Sequence, residues 1–217
     1  MTRLIDHFYL DELFDGRHRW LPMVEQMRPH LVNNLNDGMS WGIFPLFFAS
    51  FGLGVERIGI LKAAYPATWG ILQVATGPLS DRWCRKGLIV VGMWVQAAGL
   101  FLTAATREFQ WWLLGSLLLG LGRAMVYPSL IAAVSDASQP TWRARSLSVY
   151  RFWRDLGYAI GALAAGLIAD RFGLSWAIGS IAGLTFLSGG VVAVLMQEHE
   201  RRPVDLEQDG APRSAVV

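Results

Sequence analysis

Ionisable and amide side chains inside apolar runs are the residues of this 217-residue chain best suited to chemistry. Arg123 lies near the middle of one such run, and Asn34 and Asp37 lie at the opening of an earlier one. A charge at the centre of a bilayer costs about 2.5–3.5 kcal/mol on insertion scales, and it usually faces a cavity or a partner. These three residues are therefore the candidates for binding a substrate or coupling its movement to an ion.

Each candidate also has a simpler interpretation. Arg123 can form a structural ion pair with another helix, or it can bind an anionic group or take part in coupling. Asp37 can cap the start of a helix, where its charge suits the helix dipole, or it can act as a proton-coupling or substrate-coupling carboxylate. Asn34 shares the ambiguity of Asp37. The sequence leaves these alternatives open.

A further group of charges opens a later run. Arg151 and Asp155 are four residues apart, so they share a helix face and can pair, with Arg154 beside them. The arginines can simply anchor a cytoplasmic helix end, or the group can form a cytoplasmic gate. In the same run, Gly157 and Gly161 belong to a stripe of small residues that favours close helix packing, and Gly166 follows it.

The elements that carry these residues are long apolar runs. Hydrophobic residues make up 53% of the chain and charged residues 17%, against about 25% charged in a soluble domain. A spanning helix needs about 20 mostly apolar residues. The sequence predicts an all-α polytopic membrane protein with six transmembrane helices, at 35–53, 58–80, 87–106, 109–134, 147–169 and 172–196.

Basic residues predict the orientation, because they concentrate in cytoplasmic loops. Three lie between predicted helices 2 and 3, and two lie between helices 4 and 5. We therefore expect a multi-pass protein of the cell's inner (plasma) membrane with both termini in the cytoplasm. Residues 1–30 are predicted as an amphipathic or polar cytoplasmic leader, 31–197 as the transmembrane domain, and 198–217 as a disordered cytoplasmic tail.

One short pattern occurs twice. Helix 2 ends with Gly77-Pro-Leu-Ser-Asp81-Arg82 and helix 5 ends with Gly166-Leu-Ile-Ala-Asp170-Arg171, so Gly-x-x-x-Asp-Arg recurs three helices later. The predicted orientation places the two copies on opposite sides of the membrane. Inverted repeats of three helices are common in transporters. The six helices are therefore predicted to form two inverted three-helix repeats.

The segment around the first copy continues through Arg85 and Lys86, and it resembles the signature of the major facilitator superfamily between helices 2 and 3. Cys84 departs from that signature, which usually has glycine there, and Pro78 lies inside it. The resemblance covers about residues 31–197 and implies half of a twelve-helix fold, more similar to the C-terminal half. It implies conformational locking for a set of motif residues: Gly77, Asp81, Arg82, Arg85 and Lys86.

From this resemblance we expect transport of a small solute by alternating access, in which proton coupling is one option. The expected partners are the lipid bilayer, a small-molecule substrate and a second six-helix half, either a second copy or a separately encoded chain. A lone bundle is also expected to turn Arg123 and Asp37 towards lipid. The alternatives are a non-transporting assembly or regulatory subunit, or a truncated transporter fragment.

Other function classes lack support in the sequence. The four histidines lie outside the apolar runs, so no intramembrane metal site can be built from them. The sequence contains no nucleophile elbow, zinc-protease motif or phosphate loop, and no basic patch for nucleic acid. We therefore expect neither an enzyme nor a cofactor or metal site.

Overall fold

The computed structural model describes residues 20–82, 85–137 and 143–195, with side chains in 34–76, 86–131 and 148–194 except 149, 150 and 153. All regular structure in this part of the chain is helical. The six helices are α1 (Trp20–Ser50), α2 (Val55–Arg82), α3 (Arg85–Ala105), α4 (Phe109–Ala137), α5 (Arg143–Phe172) and α6 (Leu174–Leu195). The predicted all-α fold is confirmed.

Helix boundaries agree with the sequence prediction to within a few residues, with one exception. α1 begins at Trp20 instead of Leu35 and has 31 residues, about 46 Å at 1.5 Å per residue. It therefore includes residues 20–30 of the predicted leader. The division of the chain at residue 30 stays a prediction, and residues 1–19 and 196–217 lie outside the described residues.

Three of the described helices are long and apolar enough to cross a membrane, namely segments 86–105, 109–131 and 174–194 of α3, α4 and α6. α1, α2 and α5 carry more polar residues, among them Asp37, Lys62 and Arg154. The count of six membrane spans stays a prediction.

Helix packing follows the expected internal repeat. α1 packs extensively against α5. In the second repeat α4 corresponds to α1, and it packs extensively against α2, which corresponds to α5. α3 and α6 pack against each other and against α4 and α1 respectively. α2 therefore lies against α4 and α5 lies against α1, whereas α1 and α4 make few backbone contacts with each other.

A close crossing holds α1 against α5. A Cβ on Gly161 would lie 2.5 Å from the Leu35 carbonyl oxygen, and a Cβ on Gly38 would overlap the backbone of Tyr158. Glycine alone allows backbones to approach this closely. Gly157 is also buried, whereas a Cβ on Gly166 would meet nothing within 4 Å. Gly161 therefore lies at a close helix contact and Gly166 does not, and the function of these glycines in helix packing stays a prediction.

Candidate functional site

A buried ion pair joins α1 and α4. Nη2 of Arg123 on α4 lies 2.7 Å from Oδ2 of Asp37 on α1. Nη2 also donates a hydrogen bond of 3.0 Å to Oδ1 of Asn34. Only 1% of Arg123 and 4% of Asp37 is exposed. The three residues that the sequence singled out for binding or coupling are therefore brought together in one cluster.

Two tyrosines from α2 and α5 complete the shell of the carboxylate. The Tyr65 hydroxyl on α2 donates to Oδ1 of Asp37. The Tyr158 hydroxyl on α5 donates to Oδ2 over 3.0 Å. Asp37 thus accepts one hydrogen bond on each oxygen in addition to its contact with Arg123. Four helices, α1, α2, α4 and α5, meet at this single side chain.

Aromatic rings cover the guanidinium. Its carbon atom lies 5.5 Å from the centre of the Trp69 ring and 5.4 Å from that of Tyr127. The two rings meet edge to face with centroids 5.4 Å apart. Cation–π contacts at these distances stabilise a desolvated cation. The aromatic cover therefore offsets part of the cost of keeping Arg123 away from water.

The site lies across the internal repeat. The two Gly-x-x-x-Asp-Arg copies start at Gly77 and Gly166, and the same separation of 89 residues relates Asn34 to Arg123, which hydrogen-bond to each other. It also relates Trp69, which covers the guanidinium, to Tyr158, which binds the carboxylate. Corresponding positions of the two repeats thus meet at the ion pair.

A separate polar network lies on a different face of α1. Asn36 donates to Oε1 of Gln96 on α3 over 3.3 Å and accepts a hydrogen bond of 2.7 Å from Thr185 on α6. All three side chains are buried. This network ties α1 to the two outer helices, and it fixes the rotation of α1 that points Asp37 towards α2 and α5.

Asp37 does not cap a helix. It lies well inside α1, because that helix begins at Trp20. The helix-capping interpretation of Asp37 is therefore wrong, and its carboxylate serves an interhelical ion pair. Arg123 and Asp37 are also covered within this bundle, so the expectation that a lone bundle turns them towards lipid is wrong.

The charges expected to open α5 lie inside it, because the helix begins at Arg143. Nε of Arg154 contacts Oδ1 of the neighbouring Asp155 at 2.9 Å, with 28% and 65% of the side chains exposed. The Arg151–Asp155 pair expected from the helix spacing is not the pair that forms, and Arg151 is exposed. The side chains of Gly77, Asp81, Arg82 and Arg85 lie outside the described residues, and Lys86 is half-buried. A gating function for this set stays a prediction.

Sequence reasoning missed the α2 side of the site. Lys62, Tyr65 and Trp69 lie on one face of α2, at spacings of three and four residues. Lys62 carried a usable signal, because an ionisable residue inside a predicted span indicates a functional position. Tyr65 and Trp69 carried none, since aromatic residues are common in such helices.

Comparison with known proteins supports this fold. The profile of the Major Facilitator Superfamily matches residues 30–217. The chain belongs to the Major Facilitator Superfamily. Protein spinster homolog 1 from Bos taurus is 29% identical over 190 residues, which is 84% of this chain and 35% of the relative. The Fosmidomycin resistance protein of Escherichia coli is 25% identical over 66% of this chain and 35% of its own length.

A solved structure shows the same fold. A bacterial homologue of the human lysosomal transporter Spinster, in an inward-facing and unoccupied conformation, superposes with a TM-score of 0.70 at 15% identity. The match covers 91% of this chain and 48% of that one. This member of the Major Facilitator Superfamily is therefore a multi-pass membrane protein, and it spans about a third to a half of the length of the proteins it matches. Its similarity to the C-terminal half in particular stays a prediction.

Proposed function

We propose that this chain forms half of a secondary transporter that moves a small solute across the membrane by alternating access. The observation that carries the proposal is the buried Asp37–Arg123 pair at the meeting point of α1, α2, α4 and α5. Charges inside a membrane protein are costly, and they mark substrate, ion or proton pathways. Membership of the Major Facilitator Superfamily supports transport as the purpose of this pathway.

The ion pair provides a physical basis for proton coupling. Each charge is tolerated in the bundle because the other one lies beside it, together with the two tyrosine hydroxyls. A proton on Asp37 removes the countercharge of Arg123, and the guanidinium then attracts an anionic group that reaches it. Proton binding and solute binding thus act on the same contact, which is the requirement for coupling two ligands.

A second six-helix unit completes the proposed pathway. α2 and α5 present exposed apolar side chains away from the bundle, such as Ile71, Val74, Leu163 and Leu167. The relatives are also two to three times as long as the matched region. Transport in this architecture results from one bundle rocking against another around a central site. The second unit is another copy of this chain or a six-helix unit of other sequence, in the plasma membrane with both termini cytoplasmic.

Everted membrane vesicles from cells that express the full chain test this function with a panel of solutes of different charge and size. Respiration builds a pH gradient, and a fluorescent dye reports its discharge when each member of the panel is added. At least one solute should discharge the gradient saturably, and both Asp37→Asn and Arg123→Leu should abolish the response.

Matched controls keep the result specific to the site. Glu108→Gln and Arg107→Leu remove the same charges at exposed positions between α3 and α4, and both should leave the discharge unchanged. A response that survives in Asp37→Asn and Arg123→Leu contradicts the proposed centre. No response to any solute favours a non-transporting membrane subunit.

A further inference from the structure

Lys62 brings a second cation to the α2 side of the site. Its Nζ donates a hydrogen bond of 2.8 Å to the Ser40 carbonyl oxygen and lies 4.1 Å from the centre of the Trp41 ring. Lys62 is partly buried, one helical turn from Tyr65. An ammonium group carries three donors. Ser40 is its one hydrogen-bond acceptor among the described residues, so Nζ can still bind an incoming acceptor.

Positive charge exceeds negative charge inside the described bundle. Arg123 is paired with Asp37, whereas Lys62 has no carboxylate within ion-pair distance among the residues whose side chains are described. Of the other described charges, Arg151, Arg154 and Asp155 are exposed or partly exposed on α5, and the rest lie near helix ends. A cation away from water is costly unless a negative group accompanies it. The interior therefore has the electrostatics of an anion site.

The same face of α2 presents another donor without an acceptor. The indole Nε1 of Trp69 is buried and has no hydrogen-bond partner in the described part of the chain. Buried polar groups are nearly always paired, so an unpaired donor requires an explanation. Lys62 and Trp69 flank Tyr65 on this face, and each has donor capacity left that a ligand with oxygen atoms could use.

Trp41 makes this region reachable from outside the bundle. It lies one turn along α1 from Asp37, and 55% of the side chain is exposed. Its indole thus forms a wall that a solute can contact while its charged group reaches Lys62.

We propose that Lys62 and Trp41 form the binding site for a carboxylate or phosphate group, so that the substrate is a small organic anion whose apolar part lies against the indole. This assignment rests on the proposed transport function and adds the chemical class of the solute. The Asp37–Arg123 pair lies one turn deeper, where a proton on Asp37 increases the attraction for the same anion.

Four probes that differ in charge and share one ring test the assignment by calorimetry. They are benzoate, phenyl phosphate, benzyl alcohol and benzylamine, added to the full chain in phosphatidylcholine nanodiscs. Wild type should bind one of the anions about tenfold more tightly than benzyl alcohol, a factor that corresponds to a single good charged contact. Lys62→Gln should remove this preference, and Lys62→Arg should retain it.

Arg57→Gln is the matched control, because it removes a positive charge from an exposed position of the same helix. It should leave the preference for anions intact. Equal binding of the four probes to wild type overturns the proposal, and so does a preference that survives in Lys62→Gln. If Lys62→Arg loses the preference as fully as Lys62→Gln, Lys62 supports the fold and the anion site is rejected.

Two more comparisons are needed. One distinguishes a lipid headgroup from a soluble anion as the ligand, and the other distinguishes failure of the anion site from failure of the transport function. Nanodiscs with added phosphatidylglycerol show whether a lipid headgroup binds the site, because its phosphate would then block the binding of benzoate. If benzoate binding is unaffected, the site is assigned to a soluble anion. The vesicle assay can also give a discharge that depends on Asp37 but occurs only with neutral or cationic solutes. That result rejects the anion site and leaves the proposed transport function intact.

Discussion

The Asp37 carboxylate is held by three partners on three different helices: Arg123 on α4, Tyr65 on α2 and Tyr158 on α5. Such a buried pair need not stabilise the fold relative to apolar residues of similar size. Removal of one partner alone typically costs about 3–5 kcal/mol, because an uncompensated charge stays buried. Such a pair suits a switch, because neutralising one charge, by protonation or by a bound ligand, leaves the other charge uncompensated.

A double-mutant cycle on folding stability tests this asymmetry. Asp37→Asn and Arg123→Leu should each lower the free energy of unfolding by roughly 3 kcal/mol, and the double variant should cost far less than the sum of the two. Denaturant titration in detergent, followed by circular dichroism, measures the four proteins. Arg154 and Asp155 supply the control cycle, because their exposed contact of 2.9 Å should give a coupling of about 0–1 kcal/mol. Additive costs at Asp37 and Arg123 contradict the assigned pair.

At this scale the sequence identified the charged residues of the cluster better than it predicted their partners. Arg123 stood out because a charge interrupts an apolar run, and this signal needs no structure. Asp37 was interpreted partly as a cap because the apolar pattern weakens before Leu35, although α1 continues back to Trp20. The contact of Asp37 with Tyr158 joins residues 121 positions apart. Local patterns carry no information about such pairings.

Close helix crossings set the position of the site. The α1–α5 crossing at Gly38 and Gly161 brings Tyr158 within reach of Asp37. The α2–α4 packing brings Tyr65 to Asp37 and Trp69 to Arg123. The number and extent of helices could be predicted, because apolar runs of about 20 residues have few other interpretations. The sequence could not predict which glycines contact a neighbouring helix, because Gly161 and Gly166 look alike in it.

Paired substitutions test the α1–α5 crossing. Gly161→Ala should lower the free energy of unfolding by about 1–3 kcal/mol, because the added methyl group would overlap the Leu35 carbonyl. Gly166→Ala places the same group in open space on the same helix, and it should be neutral or stabilise by up to about 1 kcal/mol through helix propensity. Detergent unfolding curves for the two variants provide the measurement. Equal effects rule out the crossing as the cause.

At the scale of the whole molecule, the bundle has two kinds of surface. The face of α1 and α2 carries Trp41 and the half-buried Lys62, whereas α6 presents large apolar side chains such as Leu187, which is 65% exposed. We assign the first surface to a pathway covered by a second six-helix unit, and the second surface to the bilayer.

Thiol labelling in intact cells tests this central claim most directly. With Cys84 replaced by serine, single cysteines are introduced as Trp41→Cys, Leu187→Cys and Glu108→Cys, and a charged, membrane-impermeant reagent is added outside. Glu108→Cys, in the turn that the proposed orientation places outside, should react fully. Trp41→Cys should react measurably, because the pathway opens to that side in part of the population, and Leu187→Cys should stay unreactive in lipid. Equal reactivity of Trp41→Cys and Leu187→Cys would contradict a water-filled pathway beside the Asp37–Arg123 pair.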